Sequence, residues 1–267
     1  MQERSIIKDE RFFRENFYEK RNMKLENEIQ KEYETLEAVI RKIQISSGET
    51  KKIHKAYQSW RRELLGFKHS ISLYLMTLTK ICAEGLNGEY EPEDITQFSC
   101  ELSQTNLLFP KIDGLFLSHL INDHYKKTKY DGIYSIITEH LEISLDYLGY
   151  ENDGATIHIE GNCGESAGQK MHSGHLHIKE TAEIGLGHSM KNGTILVKNA
   201  IQTCGYGMEN GTITIQNNAG TFIGKEMRGG SIYIGESYES ISISKRGGKI
   251  YYKGNELENS SAKVRRE

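Results

Sequence analysis

Two hydrophobic patterns of different period divide the chain near residue 150. Before that point, apolar side chains recur every three or four residues, which predicts amphipathic helices. From residue 155 onward, apolar and polar residues alternate, which predicts strands. The predicted helices cover residues 25–43, 51–83, about 94–108, 110–124 and 133–148.

The helical pattern predicts a bundle over residues 1–150, because short connections join four or five helices. Gly48 follows the first stripe and is expected to end that helix, since glycine tolerates the positive φ of a helix C-terminus. The stripe over residues 25–43 also permits a two-stranded coiled coil, but it spans fewer than three or four heptads.

A repeat of 18 or 19 residues fills the second part of the chain. Its unit is G-x-x-M-x-x-G-x-I-x-I, and four copies keep both the first glycine and the methionine. The strand segments that follow the small residue read ATIHI, GHLHI, GTILV, GTITI, GSIYI and GKIYY. They open at Ala155, Gly174, Gly193, Gly211, Gly230 and Gly248.

This repeat predicts a parallel β-solenoid of five to six coils. Each GxIxI strand has one inward and one outward face, and the following dozen residues suffice to begin the next parallel strand. Two inward ladders are predicted, the first of Ile157, Leu176, Ile195, Ile213, Ile232 and Ile250, the second of Ile159, Ile178, Val197, Ile215, Ile234 and Tyr252. A third contains Ala167, Leu186, Cys204, Ile223 and Ile241, and a methionine ladder is expected to fill a corner. An antiparallel sandwich is the competing fold, but the repeats carry no hairpin turn at their midpoints.

Glycine content agrees with the division, because 19 of the 26 glycines lie between Gly154 and Gly254. The predicted organisation is therefore an α+β chain in two parts. A helical bundle occupies residues 1–150, a β-helix residues 151–255, and a polar tail residues 256–267. The bundle is expected to cap the first coil, since its last helix runs directly into it.

The copy NNAGTFIGKEMRGGSIYIG, residues 217–235, resembles the repeat of the GXGXG domain. That domain forms the C-terminal β-helix of the glutamate synthase large subunit and is also found in one of the subunits of formylmethanofuran dehydrogenase. The matching residues are Gly220, Ile223, Gly224, Met227, Gly229, Gly230, Ile232 and Ile234; Ser173, Asn192 and Asn210 replace Gly229 in other copies. The resemblance covers about residues 153–254. It implies a right-handed β-helix with a structural role, as an assembly partner of an oxidoreductase or amidotransferase, and it carries over no catalytic residue.

Charge and cysteine content restrict the function classes. The net charge is −3 and the pI about 6.4, which argues against a nucleic-acid binder that relies on bulk charge. Four cysteines without a CxxC pair predict a reducing compartment, and no apolar stretch is long enough to span a membrane. We therefore expect a cytoplasmic protein that does not associate with membranes.

Three histidines form the candidate metal site. His158 and His177 occupy neighbouring rungs of the outward ladder, and His175 lies on the same face two residues away. Converging imidazoles could bind zinc, nickel or copper, but a solvated ladder explains the same residues and no carboxylate has suitable spacing. At the far end of this ladder, Tyr233 and Tyr251 predict a docking surface.

These observations predict a non-catalytic structural or interaction module that binds a protein partner or a second copy of itself. No cofactor is predicted, and no acid, base and nucleophile come together in the sequence to identify an enzyme. The alternative is a metal-binding protein or enzyme that uses the three histidines. A weaker alternative is RNA or partner binding through residues 1–68, which carry 16 Lys and Arg against 12 Asp and Glu.

Overall fold

The computed structural model describes residues 48–64, 71–86, 90–102 and 110–257, which belong to one compact unit. The predicted helix or coiled coil over residues 25–43 lies outside this part of the chain. Within the described residues the first half contains four helices: α1 Gly48–Leu64, α2 Ile71–Gly85, α3 Pro92–Glu101 and α4 Pro110–Thr128.

The helices pack around a cluster of fully buried aromatic rings. The ring of Phe116 on α4 lies 5.1 Å from that of Tyr57 on α1 and 5.4 Å from that of Phe98 on α3, centroid to centroid. The first contact is edge-to-face, a favoured geometry for aromatic pairs. This cluster is continuous with the interior of the second half, so the helices and the strands share one hydrophobic core.

The prediction of one helix over residues 51–83 is wrong. The Trp60 indole on α1 donates a hydrogen bond to the Tyr74 carbonyl on α2, at 3.2 Å. Fourteen residues of continuous helix would hold these residues about 21 Å apart along its axis. The chain instead folds back, which buries Trp60 and Leu78 in the same core. Gly48, predicted to end a helix, is the first residue of α1.

The prediction of a helix over residues 133–148 is also wrong. Ile133–Ile137 forms strand β1, which pairs in parallel with the first predicted strand of the solenoid. Tyr134 and Ile136 lie opposite Ile157 and Ile159 and are fully buried, so they extend both inward ladders by one rung. The segment IYSII is rich in β-branched and aromatic residues, and burial against the sheet prevails over its weak helical periodicity.

The second half is a parallel β-solenoid of about six turns. Its first face consists of strands β1, β2, β3, β4, β5, β7 and β9, and the ends of β3 and β4 continue into a second face with β6 and β8. The strands after β1 are β2 Asp153–Glu160, β3 Ser173–Ile184, β4 Thr194–Gln202, β5 Thr212–Ile215, β6 Asn218–Thr221, β7 Ser231–Ile234, β8 Ser237–Tyr238, β9 Lys249–Tyr252 and β10 Asn255–Glu256.

The first two predicted ladders are confirmed for their aliphatic residues, whereas Tyr252 at the end of the second is only half-buried. Each isoleucine, leucine or valine of the first two inward ladders pairs with the corresponding residue of the next turn and is at most 1% exposed. All these pairs are parallel, which rules out the antiparallel sandwich. The one-to-one register of these ladder residues from β2 to β9 places their side chains inside the solenoid.

The methionine ladder explains why glycine and methionine recur together. The side chain of Met190 is fully buried, and its methyl carbon would lie 2.8 Å from a Cβ built on Gly211. Gly211 also has φ +94°, a conformation that residues with a Cβ rarely adopt. The methionine of one turn therefore fills the space left by the missing side chain in the turn above. The same contact pairs Met171 with Gly193, Met208 with Gly230, and Met227 with Gly248.

Helix α3 covers the open edge of β1 at the start of the solenoid. The Thr96 hydroxyl donates to the carbonyl of Ser135 at 2.9 Å, and the amide of Ile137 donates to the Ser99 hydroxyl at 3.0 Å. These side chains replace the backbone groups that a further strand would supply. The edge is thereby satisfied and hidden from other strands, as a sheet edge requires.

A reversal of the chain covers β9 at the other end. Strand β10 pairs antiparallel with β9 through a two-residue turn, Lys253–Gly254, whose φ values are 47° and 81°. Positive φ at both central residues is the requirement of a type I′ hairpin. The amide of Leu257 then donates to the carbonyl of Ile250 at 2.8 Å. The solenoid thus ends in a strand of opposite direction.

Candidate functional site

The structure brings two of the three predicted histidines into contact. His158 on β2 lies opposite His177 on β3, with ring centroids 5.1 Å apart and planes at 87°. His175 is exposed and pairs along the ladders with Thr156 and Thr194 instead. The sequence therefore located the pair correctly, because parallel register stacks equivalent positions of successive turns.

Burial keeps both stacked imidazoles neutral. It lowers the pKa of His158 from 6.5 to about 3, with smaller contributions in the same direction from His177 and His175. It lowers the pKa of His177 to about 4, against the opposing effect of the Glu160 carboxylate. Desolvation disfavours the protonated form, so at pH 7 both rings are uncharged and retain a lone pair.

A carboxylate and an ammonium group lie beside this pair. The Glu160 side chain is only 6% exposed and accepts a hydrogen bond from the Lys179 ammonium at 2.8 Å. Among the residues that the structure describes, no three His, Cys, Asp or Glu side chains form a group that could hold a metal ion. The metal site at His158, His175 and His177 stays a prediction.

The tyrosine pair at the end of the outward ladder is a parallel stack. The rings of Tyr233 and Tyr251 lie 4.8 Å apart between centroids, with planes 8° from parallel. This spacing equals the separation of neighbouring strands, so the stack follows directly from the register of β7 and β9. Both rings are partly exposed, whereas Leu196 and Thr214 earlier in the ladder are buried.

The structure also forms a cleft that the sequence did not predict. A cavity of about 330 Å³ lies between helices α2 and α4 and the first turns of the solenoid. Helix α4 contributes Leu115, Ser118, His119 and Asn122; the remaining lining residues are Leu75, Tyr150, Glu151, Asp153 and His172. They come from separate segments, so no local motif could have identified them.

His119 and His124 are five residues apart, which is not the spacing of a helical zinc site.

Comparison of the chain with protein-family models, with curated proteins and with solved structures finds no match. The resemblance to the GXGXG domain therefore remains an expectation from residues 153–254.

None of the helices in the described ranges combines the length and the apolar character needed to cross a membrane. The basic residues 1–68, which suggested RNA or partner binding, fall largely outside those ranges.

Proposed function

We propose that the protein is a non-catalytic structural and interaction module that joins a second copy of itself through the far end of its solenoid. In this proposal the four helices form a bundle that closes the near end. The solenoid is right-handed, as nearly all connections between parallel strands of one sheet are. A structural role is also what the resemblance to the GXGXG domain implies.

The observation that carries this proposal is the incomplete cover at the far end. Strand β10 covers β9 on the first face, but on the second face β8 pairs only with β6 within the described residues. Ile241, which forms a bridge with Ile223, continues this last turn, and Ile243 beyond it is 84% exposed. Tyr252 covers this edge only in part, through its ring on Tyr238 and its hydroxyl on the Glu236 carbonyl. A strand edge without a strand partner, beside an exposed isoleucine, is a surface suited to pairing with another strand.

Charge at this end favours a second copy as the occupant. Glu236 and Glu239 flank β8 and are exposed, while Lys245 and Arg246 lie in the segment that follows. Lys245 donates to the Gly248 carbonyl, and Arg246 lies 3.4 Å from the Glu226 carboxylate, so each keeps donors for a partner. A two-fold axis through an isologous interface would place the acidic side of one copy against the basic side of the other. It would also run the two β8 strands antiparallel.

Sedimentation or light scattering of the full-length chain over micromolar concentrations tests the proposal. We expect a dimer that Ile243→Lys converts to a monomer. Ile201→Lys is the matched control, because Ile201 is 52% exposed on β4, two strands before β8. A wild-type monomer, or a dimer that both substitutions leave intact, would refute the proposed interface.

The histidine pair supports metal binding as a second candidate, because it presents two adjacent neutral imidazoles. Elemental analysis of protein purified without a histidine tag tests it. A stoichiometric transition metal that is lost in His177→Leu would support it; less than a tenth of an equivalent would exclude it. Leucine is the appropriate replacement, since Leu196 occupies the next rung of the same ladder.

A further inference from the structure

Some polar groups of the cleft between α4 and the first turns of the solenoid already form hydrogen bonds within the protein. The Ser118 hydroxyl lies 2.9 Å from the carbonyl of Tyr147 and accepts the amide of Gly149 at 2.9 Å. The Asn122 amide nitrogen donates to the carbonyl of Tyr150 at 2.9 Å. These hydrogen bonds hold α4 against the first turn of the solenoid and thereby fix the shape of the cleft.

Two polar side chains of the cleft remain available. The His119 imidazole and the Asp153 carboxylate make no hydrogen bond or ion pair within the described residues. Burial lowers the pKa of His119, so its ring is neutral at pH 7 and one nitrogen is an acceptor. The carbonyl oxygen of the Asn122 side chain is a further acceptor of the same wall.

The charge of the lining is negative. Glu151 and Asp153 are its two charged side chains, and neither lysine nor arginine lines the described cleft. Lysines that contact the lining residues are already engaged. Lys170 donates to the Tyr150 hydroxyl and lies 3.6 Å from Glu151, and Lys191 lies 3.2 Å from the His172 ring. Asp153 therefore carries the negative charge that the fold leaves uncompensated.

The remaining wall is apolar. Leu75 on α2 and Leu115 on α4 line the cleft. A cavity of this volume lies at the lower end of the range for small-molecule sites, which combine apolar walls with a few convergent polar groups. The complementary ligand carries hydrogen-bond donors and a positive charge on a short hydrocarbon body.

We propose that this cleft binds a small organic amine, with its ammonium group at Asp153, His119 and Asn122 and its hydrocarbon against Leu75 and Leu115. The proposal is independent of self-association, because it concerns the opposite end of the solenoid. Glu151, partly neutralised by Lys170, contributes a weaker attraction at the mouth of the cleft.

Isothermal titration of the full-length chain with n-butylamine, n-butanol and butyrate at pH 7 tests the charge preference. These probes share a hydrocarbon chain and differ in the charge of the head group. We expect measurable binding of the amine, weaker binding of the alcohol and the weakest binding of the carboxylate. Equal affinity for amine and alcohol, or a preference for butyrate, would overturn the proposal.

Two variants locate the site. Asp153→Asn removes the charge of an exposed side chain and leaves its size unchanged, so the fold is retained. We expect it to weaken butylamine binding by about two- to fivefold, the usual effect of losing an ion pair at an exposed carboxylate. Asp131→Asn is the matched control, because Asp131 is exposed outside the cleft. Equal affinities of the two variants would show that the amine binds elsewhere.

Discussion

Acidification from pH 7 to pH 5 is expected to destabilise the folded chain through His158 and His177. The pKa of each imidazole falls from 6.5 to about 3 and about 4, respectively, on folding. The unfolded chain therefore binds more protons below pH 6.5. The stability that these neutral rings contribute is fully present above pH 6.5 and is lost as the pH falls toward 4.

The expected loss follows from linkage. For one group with these pKa values, the free energy of unfolding falls by about 2 kcal/mol between pH 7 and pH 5, hence by about 4 kcal/mol for the pair. Asp113 acts in the opposite direction, because burial raises the pKa of its carboxyl from 3.8 to about 6. Its protonation raises the free energy of unfolding by about 1 kcal/mol over the same pH interval. The net loss from the three groups is about 2–3 kcal/mol.

Urea unfolding of the wild type and of the double variant His158→Leu and His177→Leu at pH 7 and pH 5 measures this effect. Leucine cannot titrate, and the ladder already holds Leu196 at the next rung, where it is 5% exposed. The double variant should lose about 4 kcal/mol less than the wild type over this pH interval. Equal losses in both proteins would show that the rings are not buried in the neutral form.

Three further changes test other parts of the fold, each by urea unfolding. Gly211→Ala should lower the free energy of unfolding by about 3 kcal/mol or more, because a Cβ at this position meets Met190. Gly254 also has a positive φ but has nothing within 4 Å of such a Cβ, so Gly254→Ala should lower it by only about 1 kcal/mol. Equal costs would contradict the methionine contact. Ser99→Ala should cost about 1–3 kcal/mol, because it leaves the edge amide of Ile137 without its acceptor, and a neutral result would show that α3 does not close this edge. Asp113→Asn should raise the free energy of unfolding at pH 8 by up to about 3 kcal/mol and remove the gain on acidification, and unchanged stability would exclude a raised pKa.

The solenoid could be predicted accurately because the same sequence pattern recurs from turn to turn. Six copies of one pattern fix the phase of every strand, and parallel stacking then determines which residues touch. Ile195 and Ile213 could be paired in advance for this reason, as could His158 and His177. The additional turn that begins at Ile133 was missed because Gly132, which precedes its strand, lies 23 residues before Ala155 instead of 18 or 19, and because residues 133–151 carry no methionine.

The helical half and the cleft were less predictable because they depend on non-repeating tertiary contacts. The fold-back that joins Trp60 to Tyr74 buries two helices in one core, and a continuous apolar stripe does not distinguish this from one long helix. Similarly, His119 and Asp153 come to line the same cleft only when α4 packs on the solenoid. The periodic sequence pattern gives no information about that contact between helix and solenoid.

The insertion of Met190 beneath Gly211 makes a whole turn the smallest unit by which this protein can change length. Removing a segment that is not one full period would bring methionine over a residue that has a side chain and move isoleucines to the surface. Excising one complete period from the middle would instead rejoin equivalent positions and shorten the column by about 4.8 Å. Natural or engineered variants should therefore differ in size by discrete steps, each added between the helical start and the reversed final strand.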